Sequence, residues 1–165
     1  MEEFHTALEQ FKSVTQFDGG DLESQFNVLN KAFERSEAAT RNIHHRVEQV
    51  VTATNRLLEE WRDELAQYHD GSMRQRSERQ FDLTRQQADA MIAAMRRAEA
   101  KTKPVLDVFR DQVLFLKHNL NMQAITSLEK QTAGIETDVA SLIREMEKSI
   151  AEANQFIRSM GEDFS

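Results

Sequence analysis

LESQFNVLNKAFERSEAATRNIHHRVEQVVTATNRLLEEWRDELAQY, residues 22–68, decides the fold. Leu22, Phe26, Leu29, Phe33, Ile43, Val47, Val50, Leu57, Trp61, Leu65 and Tyr68 recur at three- and four-residue steps, and Ser36, Thr40 and Thr54 are the polar members of the series. A period near 3.5 holds one side of a helix against a neighbour over many turns, so this stretch predicts a long amphipathic helix packed lengthwise. At 1.5 Å per residue it would run for about 70 Å.

The rhythm returns on both sides. Upstream, Phe4, Leu8, Phe11 and Val14 share one face of a short helix. Downstream, Phe81, Thr84, Ala88, Met91, Met95, Ala98, Thr102, Val105, Phe109 and Leu116 form one seam, and Leu106, Val113 and Leu120 run beside it as a second buried stripe. Ile125, Leu128, Thr132, Ile135, Val139, Leu142, Met146, Ser149, Ala153, Phe156 and Met160 form the last. The expected helices are therefore about 2–16, 22–68, 73–118 and 122–160.

Turn signals separate them. In Asp18-Gly19-Gly20-Asp21 a glycine supplies the helix stop and Asp21 the next N-cap. Ser72 with Gln75 matches a capping box, and Asn119 and Asn121 are placed to stop one helix and start the next. Pro104 falls inside the third seam, where it removes one backbone donor; a kink is expected because the seam stays in phase, with a break as the alternative. Short turns between long helices force antiparallel neighbours. The expectation is an all-α single domain, 1–165: an elongated antiparallel helical bundle of three long helices, with a short N-terminal helix covering one end. The uncovered end would leave an apolar groove open to a second chain.

Composition narrows the chemistry. The 165 residues include one proline, no cysteine and a net charge of −7. Without cysteine there are no disulfides and no thiolate ligands or nucleophiles. No apolar run is long enough to span a bilayer, and the N-terminus lacks the pattern of a signal peptide. Overall acidity speaks against general nucleic-acid binding. Glu2–His5 is the sole Glu-x-x-His pair, and His44 with Glu48 brackets the core position Val47, so both read as solvated faces rather than metal ligands. Asp18 and Asp21 are too few carboxylates for a calcium loop. No nucleophile elbow or phosphate loop occurs. Catalytic, cofactor and metal residues are thus expected to be none, and the chain is read as a non-enzyme.

One region breaks the acidic trend. Residues 73–103 carry Arg74, Arg76, Arg79, Arg85, Arg96, Arg97, Lys101 and Lys103 against four acids. Arg74, Arg85 and Arg96 lie eleven apart, close to one helical stripe. Their bland reading is pairing with the acidic second helix; their functional reading is contact with a partner or an anionic surface. In RDQVLFLKHNLN, Arg110–Asn121, a buried turn would explain the mixture of apolar and polar residues, with partner contact through Lys117 and His118 as the alternative.

EQFKSVTQFDGGDLE (Glu9–Glu23), AMRRAEAKTKPVLDVFRDQVLFLKHNLN (Ala94–Asn121) and DVASLIREMEKSIAEANQFI (Asp138–Ile157) resemble an all-helical bacterial family, domain of unknown function 2959, found mostly in Gammaproteobacteria. The similarity covers essentially the whole chain. It implies the helical fold and, because family members carry an upstream signal or lipoprotein segment, a periplasmic or cell-envelope location. It brings no activity and no site residues. The functional expectation is a scaffold or protein-interaction module that binds a protein partner or itself, with Arg74, Arg85, Arg96, Arg97, Lys101, Lys117 and His118 as contact candidates. The alternative is an amphipathic bundle that binds a lipid or membrane surface.

Overall fold

The computed structural model describes residues 1–16, 21–120 and 122–163. They form five helices: α1 (Glu2–Thr15), α2 (Leu22–Leu65), α3 (Gly71–His118), α4 (Met122–Glu129) and α5 (Thr132–Asp163), with no strand among the described residues. The all-α expectation holds. The Gly19–Gly20 stop and the Asn121 cap lie outside the described residues.

α2 starts as its sequence predicts. The Asp21 carboxylate accepts hydrogen bonds from the Glu23 and Ser24 backbone N–H groups at 3.1 and 3.3 Å and from the Ser24 hydroxyl at 2.8 Å. It thereby satisfies amides that have no partner within the helix. The start of α3 differs from expectation. Asp70, not Ser72, is the cap: its Oδ1 accepts from the N–H groups of Ser72 and Met73 at 2.8 and 3.1 Å and from the Ser72 hydroxyl at 2.7 Å. Ser72 therefore sits inside the first turn. A carboxylate there also meets the positive end of the helix dipole, which a hydroxyl does less well.

α3 is continuous through Pro104, so the helix does not break there. Pro104 cannot donate to the Ala100 carbonyl, but Ala100, Lys103 and Pro104 are all exposed, so the lost bond falls on the solvent side of the helix. The last expected helix is two. Gln131 N–H donates to the Leu128 carbonyl in a tight three-residue turn, and the Gln131 carbonyl then accepts from Gly134 and Ile135 to begin α5. The Gln112 side-chain amide donates to Gln131 Oε1 at 2.6 Å, tethering the turn to α3.

Packing separates two compact units. The first contains residues 1–43 and 98–146, and the second contains residues 44–97 and 147–165. In the first unit α1 lies against α4. Phe4, Phe11, Leu29, Phe109, Leu116 and Leu142 are among its fully buried side chains. Phe11 meets Phe109 edge to face, with centroids 6.2 Å apart. The Ser36 hydroxyl lies 3.1 Å from its own helix's Ala32 carbonyl and 3.0 Å from the Glu3 carbonyl of α1. Ser36 thus joins α1 to α2 where the seam is polar.

The second unit has a thinner core. Ala88, Met91 and Phe156 are buried together, and Val50, Leu58, Ile92, Met95, Ala153 and Met160 pack half-buried around them. Here Trp61 of α2 meets Phe81 of α3 at 5.8 Å and 85°, and its indole N–H donates to the Ser77 hydroxyl at 3.0 Å. On the other flank the Ser159 hydroxyl of α5 donates to Gln87 Oε1 of α3 at 2.5 Å.

Two of the remaining seam hydroxyls turn back on their own helices. Thr40 donates to Ser36 O and Thr102 to Glu99 O, while Thr132, at the start of α5, donates at 3.5 Å to Leu128 O of α4. The first two bonds satisfy a buried hydroxyl without a partner helix, so the seam tolerates them at some loss of packing.

Candidate functional site

The basic stretch of α3 divides by its partners. In the second unit Arg74 pairs with Glu78 and Arg85 with Asp82, each one turn along the same helix. Arg96 crosses to Glu48 of α2 at 2.5 Å, and this guanidinium holds the Glu48 carboxyl below its ordinary pKa. Arg74, Arg85 and Arg96 therefore share a helical stripe but not a role, because Arg96 is spent on α2 while the other two stay at the surface. Arg97 is exposed, and Arg76 and Arg79 point to solvent near the α2–α3 turn.

In the first unit Lys101 donates to the Ser141 hydroxyl at 2.9 Å and lies 3.8 Å from Glu145, both on α5. Lys103 pairs with Asp107 at 2.5 Å. Pairing with the acidic second helix therefore accounts for Arg96 alone among Arg74, Arg85, Arg96, Lys101 and Lys103. A cation that composition did not single out does the same work: Arg110 binds Glu37 of α2, contacts Asp107 at 3.3 Å and sits 6.0 Å from the centre of the Phe33 ring. Its guanidinium pKa is raised, chiefly by Glu37. Lys12 of α1 pairs with Glu136 of α5, which raises the lysine pKa.

The described part of the segment 110–121, residues 110–120, is not the buried turn that its sequence suggests. Val113 and Leu116 face the core, but Leu114 is 48% exposed and Phe115 41%. Leu120, expected in a buried stripe, is exposed because α3 has already ended at His118. Lys117 and His118 are exposed beside them. Leu114, Lys117 and His118 follow at three- and four-residue steps, as do Leu114 and Phe115 with His118, so they share one side of the last turn. The turn is closed by Asn119, whose N–H donates to the Leu116 carbonyl and whose side-chain amide donates to the Phe115 carbonyl at 3.0 Å. Leu114 and Phe115 thus form an exposed apolar pair beside two cations, outside the core. The signal in the sequence was the run Val113–Leu116: four consecutive apolar residues cannot all face inward on a helix.

No group of three His, Asp or Glu side chains converges as metal ligands would among the described residues. No described helix is long and apolar enough to cross a membrane. An open groove of about 650 Å³ follows α2 in the second unit, lined by His45, Gln49, Ala53, Arg56, Leu57 and Glu60.

A family model described as a protein of unknown function (DUF2959) matches residues 1–160. The chain belongs to this family. No curated protein and no solved structure matches it. The match spans both packing units of this DUF2959 chain, and the exposed 110–120 segment lies inside it.

Proposed function

We propose that this chain is a non-enzymatic helical scaffold or protein-interaction module of the bacterial cell envelope. The observation that carries the reading is the exposed end of α3. There Leu114 and Phe115 stand in water beside Lys117 and His118, while Leu116 on the opposite side anchors the turn in the core. A rigid helix end with apolar side chains framed by cations suits a partner that offers an apolar helix or loop edged with acids. The envelope location rests on the family resemblance.

A photo-crosslinking residue placed at Phe115 is the test. In cells it should trap one discrete partner, and the same residue at exposed Lys31 should not. Diffuse adducts at both positions would remove the reading. A second reading, peripheral contact with a membrane surface, is favoured by Ile150 and Ile157 of α5, which are exposed one heptad apart and flanked by Lys148 and Arg158. Flotation with anionic vesicles, compared with neutral ones, separates the two, since a scaffold stays with the soluble fraction in both.

A further inference from the structure

Among the described residues, the second unit ends in a hairpin of α2 and α3 with no third helix beside it. Ser159 of α5 is level with Gln87 of α3, and α5 runs antiparallel to α3. Asp163, the last described residue of α5, is therefore level with about Leu83. Beyond that point the described residues supply only two helices, α2 from about Trp61 to Leu65 and α3 from Gly71 to about Asp82. Two helices alone cannot cover both sides of their apolar contacts. Accordingly Leu57, Leu58, Trp61 and Phe81 are only half-buried, Met73 is 56% exposed and Leu83 54%.

The charges at this tip are sorted by limb. The α2 limb carries Glu59, Glu60, Asp63 and Glu64 with Arg62 as its one cation; the α3 limb carries Arg74, Arg76, Arg79 and Arg85 with Glu78 and Asp82. The limbs do not neutralise each other. Arg56 pairs with Glu60, Arg74 with Glu78 and Arg85 with Asp82, each within its own helix. Glu59, Asp63, Glu64, Arg76 and Arg79 form no ion pair among the described residues.

These charges share stripes with the exposed apolar residues. Met73, Arg76, Arg79 and Leu83 follow at three- and four-residue steps along α3, as do Leu57, Glu60 and Glu64 along α2. Leu57 and Glu60 also line the open groove on α2.

We infer that the occupant of this hairpin face is the same hairpin of a second copy, the two packing about a two-fold axis as an antiparallel four-helix bundle. The charge pattern selects that partner. A surface with one acidic and one basic limb side by side is complementary to its own two-fold mate, because each acidic limb then faces a basic limb and the contact is made twice. Leu57, Trp61, Met73 and Phe81 supply the apolar centre. The α3 limb is about twelve residues, ~18 Å, long and the α2 limb is shorter, which puts the interface at the small end of stable ones and makes the dimer reversible. The inference takes the interaction-module reading as its basis but names a different face.

The experiment is light scattering of the full chain over a concentration series, on wild type and two charge-reversed variants. Arg76→Glu with Arg79→Glu makes both limbs acidic, and Glu60→Arg with Glu64→Arg makes both basic. All four residues are exposed, so helicity by circular dichroism should not change. Wild type should dimerise at micromolar concentration and dissociate as salt is raised. Each variant alone should be a monomer, and an equimolar mixture of the two should recover the dimer.

Trp61 is the one tryptophan, and its emission should shift to the blue as the wild-type dimer forms. That second readout reports on the hairpin without any substitution. A wild type that stays monomeric, or a dimer that ignores both charge reversals, would overturn the inference. So would a monomer that binds anionic vesicles through Arg76 and Arg79. A monomeric wild type that still crosslinks to a partner at Phe115 would leave the module reading standing and remove only the second copy.

Discussion

The ring of Phe11 meets that of Phe109 edge to face, centroids 6.2 Å apart and planes at 87°, and both side chains are fully buried. This contact pins the short first helix to the middle of the first unit's core. It also joins residues nearly a hundred positions apart, so neither α1 nor the end of α3 is held by local structure alone.

Truncating either ring should therefore be costly. Phe109→Ala should lower stability by ~3–5 kcal/mol in urea unfolding. In a double-mutant cycle with Phe11→Ala, the coupling should be about 0.5–1.5 kcal/mol beyond buried area. Additive losses would mean that the ring geometry contributes nothing specific.

Ser36→Ala should act on α1 more than on α2. The hydroxyl's bond to Glu3 O is lost, at ~0.5–1.5 kcal/mol, while alanine's higher helix propensity offsets part of the loss within α2. Hydrogen exchange should accelerate over α1, around Phe4 to Phe11, with α2 amides near position 36 little changed. Equal acceleration in both helices would contradict the tether.

The two aspartate caps make stability depend on acid. Hydrogen bonds from Ser24 and from Ser72 hold the Asp21 and Asp70 carboxyls below their ordinary pKa. A lowered pKa in the folded state adds stability that is present above the ordinary aspartate value and is lost as pH falls through the depressed one. The melting temperature of wild type should thus drop from about pH 4 downward. Asp70→Asn keeps an acceptor but cannot titrate, so its melting curve should fall less steeply in that range, whereas Asp70→Ala should be less stable at neutral pH as well.

Pro104→Ala should stabilise the chain. The substitution restores an amide that can reach the Ala100 carbonyl on an exposed face and removes the ring's clash with the preceding turn. The expected gain is ~1–3 kcal/mol, reduced somewhat because proline also stiffens the unfolded chain. Urea unfolding of the single variant checks it, and a loss would mean that a bend at this point is needed by the packing.

Long periodic seams made the helices legible from sequence, and Asp21 was legible as a cap. The break at Gln131 was not, because Ile125, Leu128 and Ile135 keep their three-and-four spacing across it and all three are buried. Periodicity reports which residues face inward, and a two-residue interruption that preserves the facing is invisible to it. Ser72 drew attention as a cap because its motif was complete, while the adjacent Asp70 offered the stronger acceptor. The basic stretch was visible as composition, but composition cannot say that Arg96 turns to Glu48 while Arg76 and Arg79 remain in water. The exposed end of α3 was half-legible: the apolar run showed that some side must stay out, and only the packing of Leu116 shows which.

The unequal cores of the two units have a consequence for how the chain comes apart. α2, α3 and α5 each pass from a part braced by phenylalanines and leucines into a part braced by Ala88, Met91 and a single buried Phe156. A helix of this kind is not one unit of stability. Its amides should fall into two opening classes, with residues 44–97 and 147–163 exchanging through cheap local events and the rest waiting for global unfolding. Proteases would then sever these helices within their length, at sites that look fully helical.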